Sequence, residues 1–251
     1  MDLRNADFFS EIESIPSGSV DLIFADPPYF LSNGGMSVLS GRQVKVDKGS
    51  WDQISGTEGS HDFHDAWISK IRRIMKADGS IVISGTYHSI YQCALALEVH
   101  GFRVLGDIVW FKPNGAPNLS GRRLAASHET LIWASKSEKS KFTFNYLDLK
   151  NGEFPGDKIK KDNRQMRSVW WIPTTPPREK KQGRHPTQKP LALLERVVLA
   201  FSRPGNLVLD PFMGSGTTGV ACQKLGRRFL GIEKELEFFE LANNRIKEAQ
   251  A

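Results

Sequence analysis

The sequence predicts an α/β protein in which an open β-sheet carries helices on both faces. Short apolar strand patterns alternate with helical patterns along most of the 251 residues, and no repeat of solenoid or propeller period replaces them. The chain is 39% hydrophobic and 25% charged, which is ordinary for a globular protein and excludes collagen-like and largely disordered classes. We expect residues 1–251 to form one domain that carries insertions.

The predicted elements follow from hydrophobic periodicity and from the residues that start or stop helices. Two segments, 31–50 and 137–184, break the alternation and are interpreted as insertions on a rigid scaffold, where binding loops are typically found. Strands are predicted at 20–25, 80–84, 102–110, 130–134, 206–210 and 228–233, and helices at 63–75, 89–100, 190–201, 217–225 and 236–249.

The formal net charge of +6 is unevenly distributed, because residues 136–189 contain 14 Lys and Arg against 6 Asp and Glu. A basic segment suits a polyanion, since each neutralised phosphate releases counterions. A solvated lysine-rich loop is an equally good interpretation of the charge alone. No stretch has the pattern of a signal peptide or a membrane span, so we expect a cytoplasmic protein without membrane contact. Cys93 and Cys222 lack CxxC spacing and are expected to be buried thiols.

The tetrapeptide Asp26-Pro27-Pro28-Tyr29 directly follows the strand predicted at 20–25. It therefore lies at the carboxyl end of that strand, where open α/β sheets bind their ligands. The aspartate offers a hydrogen-bond acceptor and the tyrosine a flat stacking surface, which together suit a planar amine. Accepting the hydrogens of an exocyclic base amine at Asp26 and the Pro27 carbonyl would localise its lone pair for attack on a sulfonium methyl group. The alternative is a rigid turn with a tyrosine packed behind it.

Residues 206–219 place the glycine pattern GxGxxG, at Gly214, Gly216 and Gly219, between a strand and a helix. Glu233 follows at the end of the next strand, where its carboxylate can accept hydrogen bonds from ribose hydroxyls. A nicotinamide or flavin dinucleotide would suit the same glycines. Only one further strand and helix follow the motif, which leaves no second mononucleotide half, so a single nucleoside is favoured.

The segment RHPTQKP, residues 184–190, opens the helix that precedes the glycine motif. Free amides and the positive end of that helix would attract a carboxylate. A capping segment built from Thr187 and Pro190 explains the same residues equally well.

With these three motifs together, the sequence resembles the β-group of amino DNA methyltransferases, in which the catalytic motif comes first and the cofactor glycines come last. The resemblance implies a Rossmann-like methyltransferase sheet with circularly permuted motif order and S-adenosyl-L-methionine as cofactor. It also implies transfer of a methyl group to a base that is flipped out of DNA. The family uses aspartate at the first motif position mainly for adenine, so Asp26 favours adenine N6 over cytosine N4.

By this resemblance Asp26 and Pro27 hold the target amine, and Tyr29, which follows Pro28, stacks on the flipped base. The segment 137–184 corresponds to the family's target-recognition region. The residues expected to line the cofactor are Asp7, His185, Pro186, Thr187, Gln188, Asp210, Phe212, Gly214, Gly216, Thr217 and Glu233. The residues expected to contact DNA are Phe30, Arg122, Arg123, Trp170, Trp171, Arg178, Lys180 and Lys181.

The stretches DPPYFLSNGG and APNLSGRR are also similar to adenine methyltransferases of GATC-type restriction systems. This similarity suggests DNA as the partner, with a cognate restriction endonuclease and a homodimer as further possibilities. Three alternatives stay open: a cytosine-N4 or RNA-adenine methyltransferase, a catalytically silent nucleic-acid-binding protein, and a nicotinamide-dependent oxidoreductase.

Five other residues are expected to take no part in the chemistry. His61 and His64 are expected to be surface histidines, and no metal site is expected. His128 and Glu129 are expected to form structural hydrogen bonds rather than to act as an acid/base pair, and Trp110 is expected in the core.

Overall fold

The computed structural model describes residues 1–30, 36–39, 42–45, 56–118 and 121–250. Within these ranges the strands are β1 (Asp2–Asn5), β2 (Val20–Ala25), β3 (Met36–Leu39), β4 (Arg42–Lys45), β5 (Met75–Gly85), β6 (Arg103–Phe111), β7 (His128–Ser135), β8 (Val169–Trp171), β9 (Leu207–Asp210) and β10 (Arg228–Glu233). The helices are α1 (Phe8–Glu11), α2 (Gly56–Ile74), α3 (Ile90–Val99), α4 (Tyr146–Asn151), α5 (Leu191–Phe201), α6 (Thr217–Lys224) and α7 (Leu236–Glu248). Short 3-10 turns follow α1 and precede α5.

The main sheet has the strand order β1-β10-β9-β2-β5-β7-β6-β8. Its neighbouring strands are parallel except at β7, which runs antiparallel to both β5 and β6. The described parts of the segment 31–50, β3 and β4, pair with each other as a separate antiparallel hairpin. The carboxyl ends of β2, β9 and β10 therefore lie at one edge of the sheet, together with the beginning of β7.

Helices cover both faces of this sheet, as the alternation of strands and helices predicted. Leu22 and Phe24 of β2 contact the apolar cluster under α4, α5, α6 and α7, whereas Ile23 and Ala25 contact the cluster under α1, α2 and α3. Successive strand residues point to opposite faces, so a wholly apolar strand such as β2 requires helices on both sides. The predicted fold class is confirmed.

The predicted strands and helices are present, with shifted ends. α2 begins at Gly56, seven residues before the predicted start, and Pro190 precedes α5 as its N-cap instead of occupying its first turn. The edge strand β1 was not predicted. It pairs in parallel with β10, from Asp2 opposite Leu230 to Asn5 opposite Glu233.

Part of the segment 137–184 belongs to the core rather than to an appended loop. β8 extends the sheet beside β6, and Trp170 on β8 is only 2% exposed. Its ring packs under the Arg196 guanidinium, which is paired with Asp157 at 2.6 Å. The expectation that Trp170 contacts DNA is therefore wrong, because burial leaves its ring no open face.

Buried polar side chains correct one further expectation. His64 is fully buried rather than exposed, and its Nδ1 accepts a hydrogen bond from Trp67 at 3.1 Å. Burial lowers the pKa of His64 to about 4, so this ring is neutral at physiological pH. Trp110 is buried as expected and donates its indole N–H to the Ile172 carbonyl at 2.7 Å. Cys93 and Cys222 are buried thiols.

None of the helices in the described part of the chain is both long enough and apolar enough to cross a membrane.

Candidate active site

A cavity of about 180 Å³ opens at the sheet edge where β2, β9 and β10 end. The residue that follows β2, Asp26, lines this cavity together with Asp210 and Glu233, the last residues of β9 and β10. Because the carboxyl ends of parallel strands meet at one edge, three carboxylates that are far apart in sequence face one space.

The glycine motif brings Gly214 to the cavity through backbone conformations that other residues rarely adopt. Gly214 and Gly216 have φ values of 51° and 73°. The Gly214 amide donates to Glu233 Oε2 at 2.7 Å, and the Glu235 amide donates to Oε1 at 2.9 Å. These two bonds fix the carboxylate of Glu233 at the carboxyl end of β10, and each of its oxygens keeps a lone pair that can accept a hydrogen bond from a ligand hydroxyl.

Gly216→Val is expected to lower the free energy of unfolding by about 3 kcal/mol, since it combines backbone strain with overpacking. A Cβ atom at Gly216 would lie 2.7 Å from the Ala242 Cβ on α7, so a side chain there would push α6 and α7 apart. Urea unfolding measures the loss. Gly18→Val is the matched control, because Gly18 also has positive φ but open space around it. Equal losses in the two variants would contradict the packing argument.

Asp210 is held by two donors at the end of β9. Its Oδ2 accepts from the Thr218 hydroxyl at 2.5 Å, and its Oδ1 accepts from the Phe212 amide at 3.1 Å. Burial raises the pKa of Asp210 to about 7, and the nearby carboxylates of Asp26 and Glu233 contribute to the rise. The group is therefore close to half-ionised at neutral pH, and a cation in the cavity would favour the ionised form.

Aromatic side chains form one wall of the cavity, where Phe9, Phe63 and Phe238 join the expected cofactor residues Phe212 and His185. Phe63 lies 5.9 Å from Phe9 and 6.0 Å from Phe212 between ring centroids. Phe238 packs edge-on against His185 at 4.3 Å. All five line the cavity and offer a flat, apolar surface of the kind that binds a nucleoside base. Among the three that were not expected, only Phe9 had a signal in the sequence, because it lies in the run ADFF after the expected cofactor residue Asp7.

Asp7 itself caps α1. Its Oδ1 accepts from the Phe9 amide at 2.9 Å, and its Oδ2 lies 3.4 Å from Lys234 Nζ.

The segment 184–190 approaches the cavity from the start of α5. The Leu191 amide donates to Glu179 Oε2 at 2.8 Å, so a side chain of the chain itself binds the positive end of this helix. One free amide of this helix start is therefore already satisfied within the protein, and contact of the start with a ligand carboxylate stays a prediction. Gln188 is buried, and its main-chain carbonyl accepts a hydrogen bond from the Thr175 hydroxyl at 2.5 Å.

Asp26 is held on both of its oxygens. The Tyr29 hydroxyl donates to Oδ1 at 2.5 Å, and Lys189 Nζ lies 2.5 Å from Oδ2. The Lys189 side chain is 6% exposed and that of Asp26 is 15% exposed.

Lys189 belongs to the motif at 184–190, but its contact with Asp26 was not predicted from the sequence. The Tyr29 ring is only 7% exposed, so its stacking on a base stays a prediction that requires the ring face to open.

Glu129 completes the charged cluster around Asp26. Its Oε1 accepts from Lys112 at 3.0 Å, and its Oε2 lies 3.3 Å from the Tyr29 hydroxyl and 3.5 Å from Lys189 Nζ. The sequence gave Glu129 no part in the site, because chain order does not reveal that β7 is antiparallel. Since it is, the first residues of β7 lie at the edge where β2 and β5 end.

The two charges at the centre of this cluster affect each other. Burial raises the pKa of Asp26, and the Lys189 ammonium opposes that rise. Burial also opposes the charge of Lys189, but Asp26 and Glu129 outweigh it, so the pKa of Lys189 is raised. The lysine is therefore an ammonium ion at neutral pH.

Most of the residues expected at the cofactor come together in this cavity. The lining includes Asp7, His185, Thr187, Gln188, Asp210, Phe212, Gly214, Thr217 and Glu233, and also Asp26 and Pro28 from the catalytic motif. Other members of the expected set take different positions. Gly216 packs against α7, and Pro186 is exposed next to the lining residues.

The residues expected at DNA lie around the same edge of the sheet. Arg122 and Arg123 are exposed in the connection from the end of β6 to the start of β7. Trp171, at the end of β8, packs against Phe111 at 4.9 Å. Phe30 has a φ of 55° and packs edge-on against Phe63 of the cavity wall.

Arg178, Lys180 and Lys181 lie on or just after the 3-10 turn that carries Glu179 to the start of α5. Arg178 and Lys181 are exposed, and Lys180 is partly buried. Their contacts with DNA stay predictions.

Comparison with known proteins identifies the class of enzyme to which this site belongs. Residues 20–244 match the sequence model of a family described as DNA methylase. The chain is 48% identical over 245 residues to the Type II methyltransferase M2.LlaDCHI of Lactococcus lactis subsp. cremoris, covering 97% of this chain and 88% of that protein. It is 46% identical over 247 residues to the Type II methyltransferase M2.DpnII of Streptococcus pneumoniae, covering 98% and 90%.

A solved structure supports the same assignment. The structure of an M1.HpyAVI–SAM complex is 30% identical to this chain, covers 98% of both chains and superimposes with a TM-score of 0.71. These matches leave the nicotinamide-dependent oxidoreductase without support. From the motif order, the cavity and these matches it follows that the chain belongs to the DNA methylase family of S-adenosyl-L-methionine-dependent enzymes.

Proposed function

We propose that this protein transfers a methyl group from S-adenosyl-L-methionine to the N6 amine of an adenine flipped out of DNA. The observation that carries the proposal is that Asp26 and Pro28 line the same cavity as Asp210, Gly214 and Glu233. The motif suited to a base amine and the motif suited to a nucleoside cofactor thus share one space. An acceptor of amine hydrogens beside a methyl donor is the minimum that this reaction needs.

The cofactor residues divide by chemistry. Glu233, fixed by two amides, suits the ribose hydroxyls, and Asp210, whose ionised form a cation in the cavity would favour, suits the methionine ammonium. The aromatic wall of Phe9, Phe63 and Phe212 suits the adenine ring. When bound, the cofactor supplies an electrophilic methyl group on a sulfonium centre.

Asp26 acts on the target amine. The lone pair of an exocyclic amine is delocalised into the base ring, and accepting the amine hydrogens at Asp26 and the Pro27 carbonyl localises that pair on nitrogen. After methyl transfer the nitrogen must lose one proton, and the proposal assigns the Asp26 carboxylate as its acceptor. This route requires no covalent enzyme intermediate.

Adenine is favoured over cytosine because aspartate occupies the first position of the catalytic motif. The similarity of DPPYFLSNGG and APNLSGRR to GATC-type enzymes favours GATC as the recognition sequence.

Incubation of the purified protein with methyl-labelled cofactor and unmethylated genomic DNA tests the proposal directly. Nucleoside analysis is expected to find labelled N6-methyladenine, and single-molecule sequencing is expected to find it at one short recurring sequence. N4-methylcytosine would correct the target base. Label in RNA alone, or cofactor binding without any transfer, would overturn the proposal in favour of the RNA-directed or the silent nucleic-acid-binding alternative.

Arg122 and Arg123 are proposed to contact DNA phosphates, because their connection leaves the sheet at the edge that carries Asp26. Replacing both by alanine is expected to weaken DNA binding at every sequence. It should also reduce the slope of log affinity against log salt concentration by about 2, since each phosphate contact contributes about 0.9. Fluorescence anisotropy at several salt concentrations measures this slope. Arg103→Ala, at the opposite edge of the sheet, is the control, and an unchanged slope in the double variant would refute the contacts.

The protein is further proposed to work in the cytoplasm beside a cognate restriction endonuclease, as the Type II class of its relatives suggests. A homodimer stays a prediction, which sedimentation of the purified protein would test.

A further inference from the structure

We propose that Lys189 is a positioning residue of the methyl-transfer reaction, which holds the Asp26 carboxylate ionised and oriented toward the target amine, and that Glu129 in turn holds Lys189. This inference rests on the proposed function, since it assigns the residue that prepares the proposed amine acceptor.

The first step of the argument is the geometry around Asp26. Its Oδ2 contacts Lys189 Nζ and its Oδ1 contacts the Tyr29 hydroxyl, both at 2.5 Å. Two contacts on different oxygens fix the plane of the carboxylate. Each carboxylate oxygen has two lone pairs, so one lone pair on each oxygen still remains to accept an amine hydrogen.

The second step is the burial of Lys189. Its side chain is 6% exposed, and an ammonium ion at that depth requires anionic partners. Asp26 at 2.5 Å and Glu129 at 3.5 Å supply them. Lys112, 3.0 Å from Glu129, balances the second carboxylate, so the cluster holds two positive and two negative groups.

The third step is the anchoring of Lys189 to the cofactor side of the cavity. Its main-chain carbonyl accepts a hydrogen bond from the Thr217 hydroxyl at 3.2 Å, at the first residue of α6. Lys189 therefore joins the turn that carries the cofactor glycines to the carboxylate that receives the amine.

The charge of Lys189 matters because Asp26 is surrounded by groups that favour its neutral form. Burial and the carboxylate of Glu129 raise the pKa of Asp26, and Asp210 lies close enough for its charge to interact with that of Asp26. The Lys189 ammonium opposes these effects, with help from the Tyr29 hydroxyl. A protonated Asp26 would have lost most of its ability to accept the amine hydrogens and the released proton.

The test compares Lys189→Met, Lys189→Arg and wild type across a pH series. Lys189→Met is expected to lower the single-turnover methylation rate at neutral pH by at least about tenfold, in line with loss of a charged interaction made to the reacting group. The acid limb of its pH–rate profile should move to higher pH, since Asp26 loses the cation that keeps it ionised. Lys189→Arg retains the positive charge and should keep the acid limb near the wild-type position.

Lys224→Met is the matched control, because Lys224 also pairs with a carboxylate, at 2.6 Å from Glu195, but on the exposed surface. It is expected to leave both rate and profile unchanged. Cofactor binding and thermal unfolding identify variants that fail to fold. A Lys189→Met enzyme that keeps the wild-type rate, or loses rate equally at every pH, would overturn the positioning role.

A second measurement is independent of turnover. In protein labelled with ¹³C-aspartate, the Asp26 carboxyl signal is assigned by its disappearance in Asp26→Asn and is followed by NMR as pH changes. The signal should titrate at higher pH in Lys189→Met than in wild type, and coincident titrations would overturn the inference. If wild type transfers no methyl group, the proposed function fails while this comparison still decides the role of Lys189.

Discussion

Asp26→Ala is expected to lower the rate of methyl transfer by about 10³-fold, because it removes the only carboxylate proposed to face the amine. Cofactor affinity should remain close to that of wild type, since the cofactor contacts are assigned to Asp210, Glu233 and the aromatic wall. Lys189 would keep Glu129 as a partner at 3.5 Å, which limits the destabilisation from an unpaired buried ammonium. Single-turnover methylation and calorimetric cofactor binding, measured on the same preparation, separate the two effects.

Asp26→Asn refines this experiment, because it preserves the size of the side chain but not its charge. It is expected to be nearly as slow as Asp26→Ala. Asp107→Ala, on the exposed side of β6, is the control for loss of an acidic residue. Activity within tenfold of wild type in both Asp26 variants would disprove the mechanism.

The second large effect concerns the pH dependence of cofactor binding. The pKa of Asp210 is raised to about 7 by burial, so below neutral pH most molecules carry a neutral acid there. If the ionised form holds the methionine ammonium, the cofactor must displace that proton, and affinity should rise by up to about tenfold per pH unit from pH 5 to pH 7 and level off above. Calorimetry at constant ionic strength measures this curve.

Asp210→Asn should bind the cofactor at least about tenfold more weakly at pH 8, since a hydrogen bond to a charged group is lost. It should also lose most of the pH dependence. Other titratable groups also line the cavity, and the variant separates their contribution to the pH dependence from that of Asp210. They are Asp7, Asp26, His185, Lys189, Glu233, Lys234 and Glu235. A variant that retains the wild-type curve would assign the proton to one of them.

The same shift affects folding in a defined direction. The pKa of Asp210 is raised from 3.8 to about 7, so between these values the folded protein binds more protons than the unfolded chain. Stability contributed by the neutral carboxyl is therefore fully present below pH 3.8 and is lost as pH rises through about 7.

The sequence predicted the fold class because apolar strands such as β2 and glycine-ended helices have strong local signals. It missed β1, since DLRN is short and polar and becomes a strand only by pairing with β10. It also did not predict that Trp170 is buried, because a tryptophan in a basic segment has the same local pattern whether it packs under Arg196 or faces solvent.

The candidate site was predictable where its chemistry lies in contiguous motifs, as at Asp26 and Gly214. Lys189 stood inside such a motif, yet its partner is 163 positions away in sequence. The place of Glu129 in the site could not be predicted for a different reason. The direction of a strand within a sheet is a tertiary property, and Glu129 lies next to Tyr29 only because β7 is antiparallel to β5.

The pairing of β1 with β10 has a consequence for how the protein is made. The Ala6 amide bonds to the Glu233 carbonyl at 3.0 Å, and the cavity walls come from both segments. At a synthesis rate of about 5–20 residues per second, β10 is made roughly 10–45 s after Phe8 and Phe9, and the cavity that they line is incomplete until then. If the cofactor binds in this cavity, as proposed, a nascent chain can bind it only after the sheet has joined these two distant segments.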